Sequence, residues 1–240
     1  MSIDGATIMT IQLFDLTDAT RQVFFSPYCW RIRMALRHKG LDVESVPWHF
    51  TDKELLEKTG QPRVPVIVDG DKWVNDSSAI AAYLDETYPE RPLLMKDAAG
   101  KASAQFVEAW CNFSVFAPMR AIAVMNVFKI IHEKDKAYFR ESREKMLKSK
   151  LEELSTDPIA EKAALTAALR PAEDLFGKQD FFGGDVPSYA DYVLFGTLMW
   201  PYMVCPESPL EAGSNVAVWF DRLLDLNDGY ARSAKRAADL

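Results

Sequence analysis

Apolar and polar residues alternate with the period of a β-strand at several places in the first ninety residues. Residues 10–15 (TIQLFD) and 42–47 (DVESVP) follow a two-residue alternation, which predicts two half-buried strands. Residues 65–69 (PVIVD) and 72–74 (KWV) flank a Gly-Asp pair, a pattern that predicts a hairpin of two short strands. The first ninety residues therefore predict a small sheet of four strands.

Two helices are predicted within this sheet region. The first lies between the first two strands, with Ser26 as its N-cap, Pro27 in its first position and Gly40 at its end. The second begins at the Asp76-Ser77 pair, after the hairpin, and ends before Pro89. The resulting order of strand, helix, strand, loop, strand, strand and helix predicts a compact α/β unit that ends near residue 90.

The rest of the chain shows only helical periodicity. Residues 91–101 have the proline, aspartate and glycine content of a linker, and no convincing strand follows. Pro118 is expected to kink the first long helix because it lacks an amide proton. Met146 is expected to face inward from a charged amphipathic helix, and Ser188 to form a capping box with Asp191. The predicted helices cover residues 102–131, 138–154, 159–176, the apolar run after residue 188, and 216–226.

Composition and charge restrict the class of protein. Hydrophobic residues make up 48% of the 240 residues, enough for a sizeable core. The net charge of -7 argues against a nucleic-acid-binding surface, since such surfaces depend on Lys and Arg. No secretory signal is recognisable, and the apolar run 193–205 is shorter than the roughly 20 residues that a membrane span needs. Three cysteines without paired spacing and three scattered histidines predict neither disulfides nor a metal site. A cytoplasmic protein is expected, with no nucleic-acid or membrane partner.

The segment Ser26-Pro27-Tyr28-Cys29 stands at the start of the first predicted helix. A well-capped helix explains it on structural grounds alone. The segment also resembles the Cys-Pro-Tyr-Cys of glutaredoxins, whose first cysteine is made acidic by the helix N-terminus. Serine stands here in place of that cysteine. An anion-stabilising position without its own thiolate suggests that the thiolate arrives with a ligand.

Two further segments match such a ligand. Val64-Pro65 precedes the third strand, where thioredoxin-like folds place a cis-proline, and the main chain of Val64 can pair with an extended peptide. Asp76-Ser77 is most often a plain helix cap, but a helix N-terminus with a hydroxyl group also binds a carboxylate. Glutathione has a thiol, a peptide-like middle and an amino-acid end, and it suits all three places.

Together these motifs resemble the cytosolic glutathione S-transferases over nearly the whole chain. The resemblance rests on SPYCWR, RVPVIVDG, DSSAIAAYLDETYP and the Ser-x-x-Asp box. It implies an α/β plus all-α fold. Residues 1–90 would form a thioredoxin-like domain with an extension at 1–8, residues 91–101 the linker, and residues 102–240 an all-helical domain. The motifs in residues 139–145 and 182–192 look most like the bacterial β-etherase class and related fungal glutathione transferases.

The resemblance also implies a set of site residues. Ser26 would donate a hydrogen bond to the glutathione sulfur, Val64 would pair with the cysteinyl backbone before a cis Pro65, and Asp76 and Ser77 would hold the γ-glutamyl end. Three residues are unranked candidates for the glycine carboxylate: His49, Lys53 and Gln61. Glutathione is then the cosubstrate, no metal is required, and a homodimer is expected.

The electrophile is expected to lie against the helical domain. Four residues of the first long helix are candidates for that wall, although helical spacing fits a core stripe as well: Trp110, Phe113, Phe116 and Met119. Members of the β-etherase class displace a phenol from a carbon next to a ketone, and the resemblance implies this activity on lignin-type aromatics. Two alternatives remain open. One is a noncatalytic carrier of hydrophobic aromatics, and the other is a thiol-disulfide or deglutathionylating enzyme that uses Cys29.

Overall fold

Four strands form a single mixed sheet in the computed structural model, which describes residues 10–240. The predicted extension at residues 1–8 lies outside the described residues. The sheet order is β2-β1-β3-β4, with β1 and β2 parallel and both other neighbouring pairs antiparallel. This sheet confirms the predicted strands, which are β1 Ile11–Leu16, β2 Val43–Trp48, β3 Val66–Asp69 and β4 Lys72–Asn75.

Two helices pack with the sheet, in the predicted places. Helix α1 (Pro27–His38) connects the parallel strands β1 and β2, and helix α2 (Ser77–Thr87) follows the hairpin. A short 3-10 helix, Lys53–Thr59, occupies the loop between β2 and β3. Most of α1 is buried because it lies between the sheet and the helical domain. This arrangement is the thioredoxin-like part of the predicted fold.

Seven longer helices make up the rest of the described chain, and no strand follows β4 in residues 76–240 apart from an isolated bridge. The all-helical character predicted for this part is confirmed. Helix α3 begins within the segment predicted to be a linker. The helices are α3 Ala98–Trp110, α4 Phe116–Ile130, α5 Glu133–Leu147, α6 Pro158–Ala168, α7 Arg170–Phe176, α8 Tyr189–Val204 and α9 Asn215–Leu224.

The first long helix is interrupted upstream of the predicted kink. A π-helical turn, Cys111–Val115, separates α3 from α4, and Pro118 lies in the first turn of α4. Proline has no amide proton to donate to the carbonyl four residues earlier. That carbonyl lies within the π turn, where the hydrogen-bonding pattern changes from α-helical to π-helical. A π turn also rotates the following helix relative to the preceding one.

The prediction of a helix over residues 138–154 was wrong about both of its ends. Helix α5 starts at Glu133, because the side chain of His132 accepts a hydrogen bond from the Lys134 amide and caps the helix. It ends at Leu147, since Lys148 adopts a left-handed conformation. Met146, expected to face inward, is 59% exposed, but it lines the cleft between the two domains.

Asp191 organises the start of the buried helix α8. Its carboxylate accepts hydrogen bonds from the amide and hydroxyl of Ser188, from the amide of Phe182 and from the indole of Trp219. Burial raises the pKa of Asp191, although these hydrogen bonds oppose the shift. Ser188 and Asp191 therefore have the structural role that the capping-box prediction assigns to them.

The segment Ala98–Ile130 is long and apolar enough to cross a membrane. Length and composition alone do not distinguish such a span from the core helix of a globular protein. In this fold both α3 and α4 pack against α8, and Ala104, Val107 and Val127 are buried. Only 33% of the most apolar 18-residue stretch is buried, so packing against α8 accounts for one face of the segment.

Candidate active site

A cleft of about 570 Å³ lies between the sheet domain and the helical domain. The sheet domain contributes the start of α1 and the segment before β3, whereas the helical domain contributes α4, α5 and α8. Most of the lining is apolar or aromatic, as in sites for organic ligands. Lining residues include Ser26, Pro27, Tyr28, Trp48, Phe50, Arg63, Val64, Phe116, Arg120, Val124, Tyr138, Phe139, Arg143 and Trp200.

Ser26 is the N-cap of α1 and lines the cleft. The backbone of Ser26 is extended, and only 3% of the residue is exposed. Its Oγ accepts a hydrogen bond of 3.3 Å from the Cys29 amide. Apart from its interactions with Cys29, this hydroxyl has no hydrogen-bond partner among residues 10–240. It can therefore turn toward an acceptor in the cleft, next to the positive end of the helix dipole.

Val64 lines the same cleft as Ser26, and the peptide bond between Val64 and Pro65 is cis. Pairing between β3 and its neighbours begins at Val66. The main chain of Val64 is thus outside the sheet ladder and faces a space in which a peptide can pair with it. Ser26 and Val64, which the resemblance to thioredoxin-like folds links, therefore line one cleft.

Asp76 and Ser77 lie at the N-terminus of α2 and do not line this cleft. Asp76 has a φ of 70°, and its carboxylate accepts hydrogen bonds of 3.0 Å from the amides of Ser78 and Ala79. Ser77 is 4% exposed, and its carbonyl accepts a hydrogen bond from the Tyr189 hydroxyl. In this structure both residues cap and anchor α2, and their role toward a γ-glutamyl group stays a prediction.

The three candidates for the glycine carboxylate do not line the cleft either. His49 is 2% exposed, with Nε2 3.2 Å from the Asp18 carbonyl oxygen. The ammonium of Lys53 lies 4.2 Å from the centre of the Tyr138 ring, and Gln61 donates to the carbonyl of Arg63. Arg63 itself does line the cleft.

Of the four aromatic and methionine candidates on the first long helix, only Phe116 lines the cleft. Phe113 is 88% exposed, Trp110 is half-buried and Met119 is fully buried. The π turn Cys111–Val115 explains the difference, because residues before and after it do not share one continuous helical face. Trp110, Phe113 and Met119 are therefore corrected to positions outside the cleft wall.

Three arginines in the lining were missed by the sequence reasoning. Arg63 precedes Val64, Arg120 lies on α4 and Arg143 lies on α5. Arg143 belongs to a charged helix, and charged residues on such helices most often face solvent. Its guanidinium instead packs against the rings of Phe50 and Phe139 at the cleft lining.

Cys29 is not a reactive thiol in this structure. It is fully buried, and its Sγ lies 3.9 Å from the Phe14 carbonyl oxygen. Burial raises the pKa of Cys29 well above its usual value, and the charge of Asp15 raises it further. A thiolate is the nucleophile in disulfide chemistry, so the burial of Cys29 argues against the hypothesis of a Cys29-based enzyme. Nor do residues 10–240 contain three or more His, Cys, Asp or Glu grouped in a way that could hold a metal ion.

Comparisons with known proteins place this geometry in a family. Residues 22–92 match the family model of the glutathione S-transferase N-terminal domain, and residues 102–222 match that of the C-terminal domain. The probable glutathione S-transferase GSTU6 of Oryza sativa subsp. japonica is 32% identical over 190 residues, which are 74% of this chain and 70% of that protein.

A zeta-class glutathione S-transferase of Euphorbia esula is 39% identical over 109 residues, 43% of this chain, and the match spans only 48% of that relative. Among solved structures, a glutathione S-transferase of Ceriporiopsis subvermispora, crystallised in complex with glutathione, superposes with a TM-score of 0.74 at 25% identity. That match covers 93% of this chain and 94% of the other. With two matching domain models in the expected order, the chain belongs to the glutathione S-transferase family.

Proposed function

We propose that this protein is a glutathione transferase in which Ser26 stabilises the thiolate of bound glutathione. One observation carries the proposal: Ser26 and Val64 line the same cleft as apolar residues of the helical domain. A glutathione peptide paired with Val64 would bring its sulfur toward Ser26. The complex of the Ceriporiopsis subvermispora relative with glutathione supports the choice of ligand.

The proposed activation requires only a moderate lowering of the pKa of the glutathione thiol. A thiol with a pKa near 8.5 is only a few per cent ionised at neutral pH, and lowering the pKa by about two units requires about 2.7 kcal/mol. A hydrogen bond to a charged group contributes roughly 1.5–3 kcal/mol, and a helix N-terminus adds about 0.3–1 kcal/mol. The Ser26 hydroxyl and the α1 N-terminus can therefore supply the shift without a general base of unusual pKa.

The electrophile would occupy the part of the cleft formed by the helical domain. Phe116 stacks on Tyr28 with 5.8 Å between the ring centroids and lies 6.2 Å from Trp200, and such surfaces suit an aromatic ring. We extend the proposal to β-aryl ethers. The thiolate attacks the carbon that carries the aryloxy group, a C–S bond forms, the C–O bond breaks, and the phenolate leaves and takes a proton from solvent.

The test is a pair of assays with purified protein and glutathione. One follows conjugation of 1-chloro-2,4-dinitrobenzene, and the other follows phenol release from a fluorogenic β-aryl ether ketone. The key variant is Ser26→Ala. Ser214→Ala is its matched control, because Ser214 caps α9 in the same way, accepting a hydrogen bond of 3.1 Å from the Ala217 amide. Each change should cost about 1 kcal/mol of stability through loss of a cap.

Only Ser26→Ala should abolish the glutathione-dependent reactions. Equal losses of activity in Ser26→Ala and Ser214→Ala would mean that only helix capping had been lost. That outcome would contradict the proposed role of Ser26. Conjugation without phenol release would retain the transferase and reject ether cleavage. Tight aromatic binding with neither reaction would instead favour a noncatalytic carrier.

We further propose that the protein forms a homodimer through the exposed surface of α3 and of the π turn that follows it. Phe106 of α3 is 71% exposed, and Phe113 of the π turn is 88% exposed. Large apolar side chains grouped on a surface often mark an interface. Analytical ultracentrifugation of Phe106→Ser and Phe113→Ser should give a monomer at concentrations at which the unchanged protein is a dimer. A monomeric unchanged protein would reject the proposal.

A further inference from the structure

The cleft is basic although the protein is acidic. Its lining contains three arginines, Arg63, Arg120 and Arg143, and no aspartate or glutamate among the described residues. The whole chain, in contrast, has 35 acidic and 28 basic residues and a net charge of -7. A cluster of one sign inside a low-dielectric cleft attracts ligands of the opposite sign.

Arg143 is held in the cleft by aromatic rings and not by an acid. Its guanidinium carbon lies 4.7 Å from the ring centre of Phe139 and 5.0 Å from that of Phe50, and Nη1 donates a 2.9 Å hydrogen bond to the Ser142 hydroxyl. Burial lowers the pKa of Arg143, and the nearby charge of Arg63 lowers it further, against the effect of Tyr138.

Another arginine of α5 provides a direct contrast. Arg140 binds Glu144 and Glu152 through ion pairs of 2.8 and 2.7 Å on the outer surface. None of the three cleft arginines has a carboxylate within ion-pair distance in the part of the chain that the structure describes. Arg63 is exposed, whereas Arg120 and Arg143 are partly buried. A partly buried guanidinium without an acidic partner loses hydration, and an anionic ligand would restore the lost interactions of Arg120 and Arg143.

The arginines divide between the two substrates of the proposed reaction. Arg63 adjoins Val64, where the glutathione peptide is proposed to pair, and it suits a carboxylate of glutathione itself. Arg120 and Arg143 come from α4 and α5 of the helical domain, where the electrophile is proposed to lie. Their planar guanidinium groups match the geometry of a carboxylate.

We propose that the electrophile is an aromatic compound that carries a carboxylate, and that Arg120 and Arg143 bind this group. The aromatic part would contact the Phe116 side of the cleft, while the two guanidinium groups would orient it toward the glutathione sulfur. This inference rests on the proposed transferase function and adds the substrate class. In this account Arg120 and Arg143 determine specificity and take no part in breaking bonds.

The test compares 4-chloro-3,5-dinitrobenzoate with its methyl ester, a pair of electrophiles that differ in charge at one position. For each protein and each electrophile, kcat/KM for conjugation is divided by the uncatalysed rate constant of the same electrophile. The value for the carboxylate is then divided by the value for the ester. This ratio does not depend on how much of a variant is folded. The variants are Arg120→Gln and Arg143→Gln. The control is Lys145→Gln, which removes a positive charge from an exposed position of α5 outside the cleft.

The unchanged protein should prefer the carboxylate. The ratio should fall about tenfold or more in each arginine variant, equivalent to about 1.4 kcal/mol, and should not change in Lys145→Gln. An unchanged ratio together with a raised KM for glutathione in the arginine variants would assign both guanidinium groups to glutathione and overturn the proposal.

Failure of the transferase itself would look different, because then neither the acid nor the ester would be conjugated by the unchanged protein. Isothermal titration of the carboxylate into the unchanged protein and into Arg143→Gln then decides the question of specificity. Equal affinities would overturn the assignment of Arg143, and weaker binding by the variant would support it without any turnover.

Discussion

Arg31 and Glu108 join the two domains through an ion pair of 2.6 Å between Nη1 and Oε1. Arg31 lies on α1, with a fully buried side chain, and Glu108 lies on α3. The other carboxylate oxygen of Glu108 accepts a hydrogen bond from Ser78 on α2, and Arg31 also lies 3.4 Å from the Thr197 hydroxyl on α8. Four helices from both domains thus meet at one pair of charges, close to the start of α1 that carries Ser26.

Glu108→Ala is expected to destabilise the protein strongly. The substitution leaves the Arg31 guanidinium buried without its counter-charge, which should lower the free energy of unfolding by about 3 kcal/mol. Urea unfolding measures this loss. The double variant Arg31→Leu with Glu108→Ala should lose less than the sum of the single variants, and additive losses would contradict the coupling. Asp174→Ala, which breaks the exposed pair with Lys178, should change stability little.

Gly196→Ala is expected to disturb the contact between α8 and α1. A methyl group at this position would lie 2.4 Å from the carbonyl oxygen of Pro27 and 2.9 Å from the amide nitrogen of Arg31. Backbone atoms cannot move aside locally, so the helices must separate, at a cost of about 3 kcal/mol. Since Pro27 follows Ser26, kcat/KM for conjugation should fall as well.

Gly100→Ala provides the control for this substitution. The nearest atoms to a methyl group there are 3.7 Å away, in ordinary contact, and the residue lies in the first turn of α3. Thermal unfolding should show a large decrease in Tm for Gly196→Ala and no decrease for Gly100→Ala. Equal transitions in both would contradict the close approach of α8 to α1.

Asp18→Asn is expected to reduce stability in a pH-dependent manner. Burial of Asp18 favours the neutral form, but hydrogen bonds from Thr20, Gln22 and Val23 to the carboxylate outweigh burial and hold its pKa below 3.8. A carboxyl whose pKa is lower in the folded state contributes its full stability above the unfolded value and loses it as the pH falls through the folded value.

Urea unfolding of the unchanged protein and of Asp18→Asn, at neutral pH and at steps of falling pH, measures this effect. We expect Asp18→Asn to lower the free energy of unfolding by about 2 kcal/mol at neutral pH, because the ionised acceptor is lost. The difference between the two proteins should shrink as the pH falls through the folded-state pKa of Asp18, where the carboxyl becomes protonated and resembles an amide. A difference that stays constant with pH would contradict the ionised state of Asp18 in the fold.

The cysteines are expected to be unreactive while the protein is folded. Cys29, Cys111 and Cys205 are all buried and free. Burial raises the pKa of each thiol, to about 11 for Cys111. Ellman's reagent at neutral pH should therefore label none of them rapidly, and all three after denaturation. Rapid labelling of one thiol that disappears in Cys29→Ala would contradict the buried position of Cys29.

Features that depend on local chemistry could be predicted from the sequence alone. Alternation of apolar residues placed β1 and β2, the Gly-Asp turn placed the hairpin of β3 and β4, and capping residues placed the starts of α1 and α2, because these signals involve residues close in the chain. Ser26 and Val64 were identified through their resemblance to segments of glutaredoxins and other thioredoxin-like folds. Both now lie in one cleft.

Which side chains face that cleft depends on how distant segments pack together. Phe113 and Met119 have the helical spacing of a ligand wall, yet the π turn between α3 and α4 turns one into solvent and the other into the core. Arg140 and Arg143 are alike as charged residues of α5, but one pairs with surface acids and the other enters the cleft between Phe50 and Phe139. Helical periodicity defines a face, whereas the neighbour that covers it comes from a distant part of the chain, so the electrophile site could not be predicted from local pattern alone.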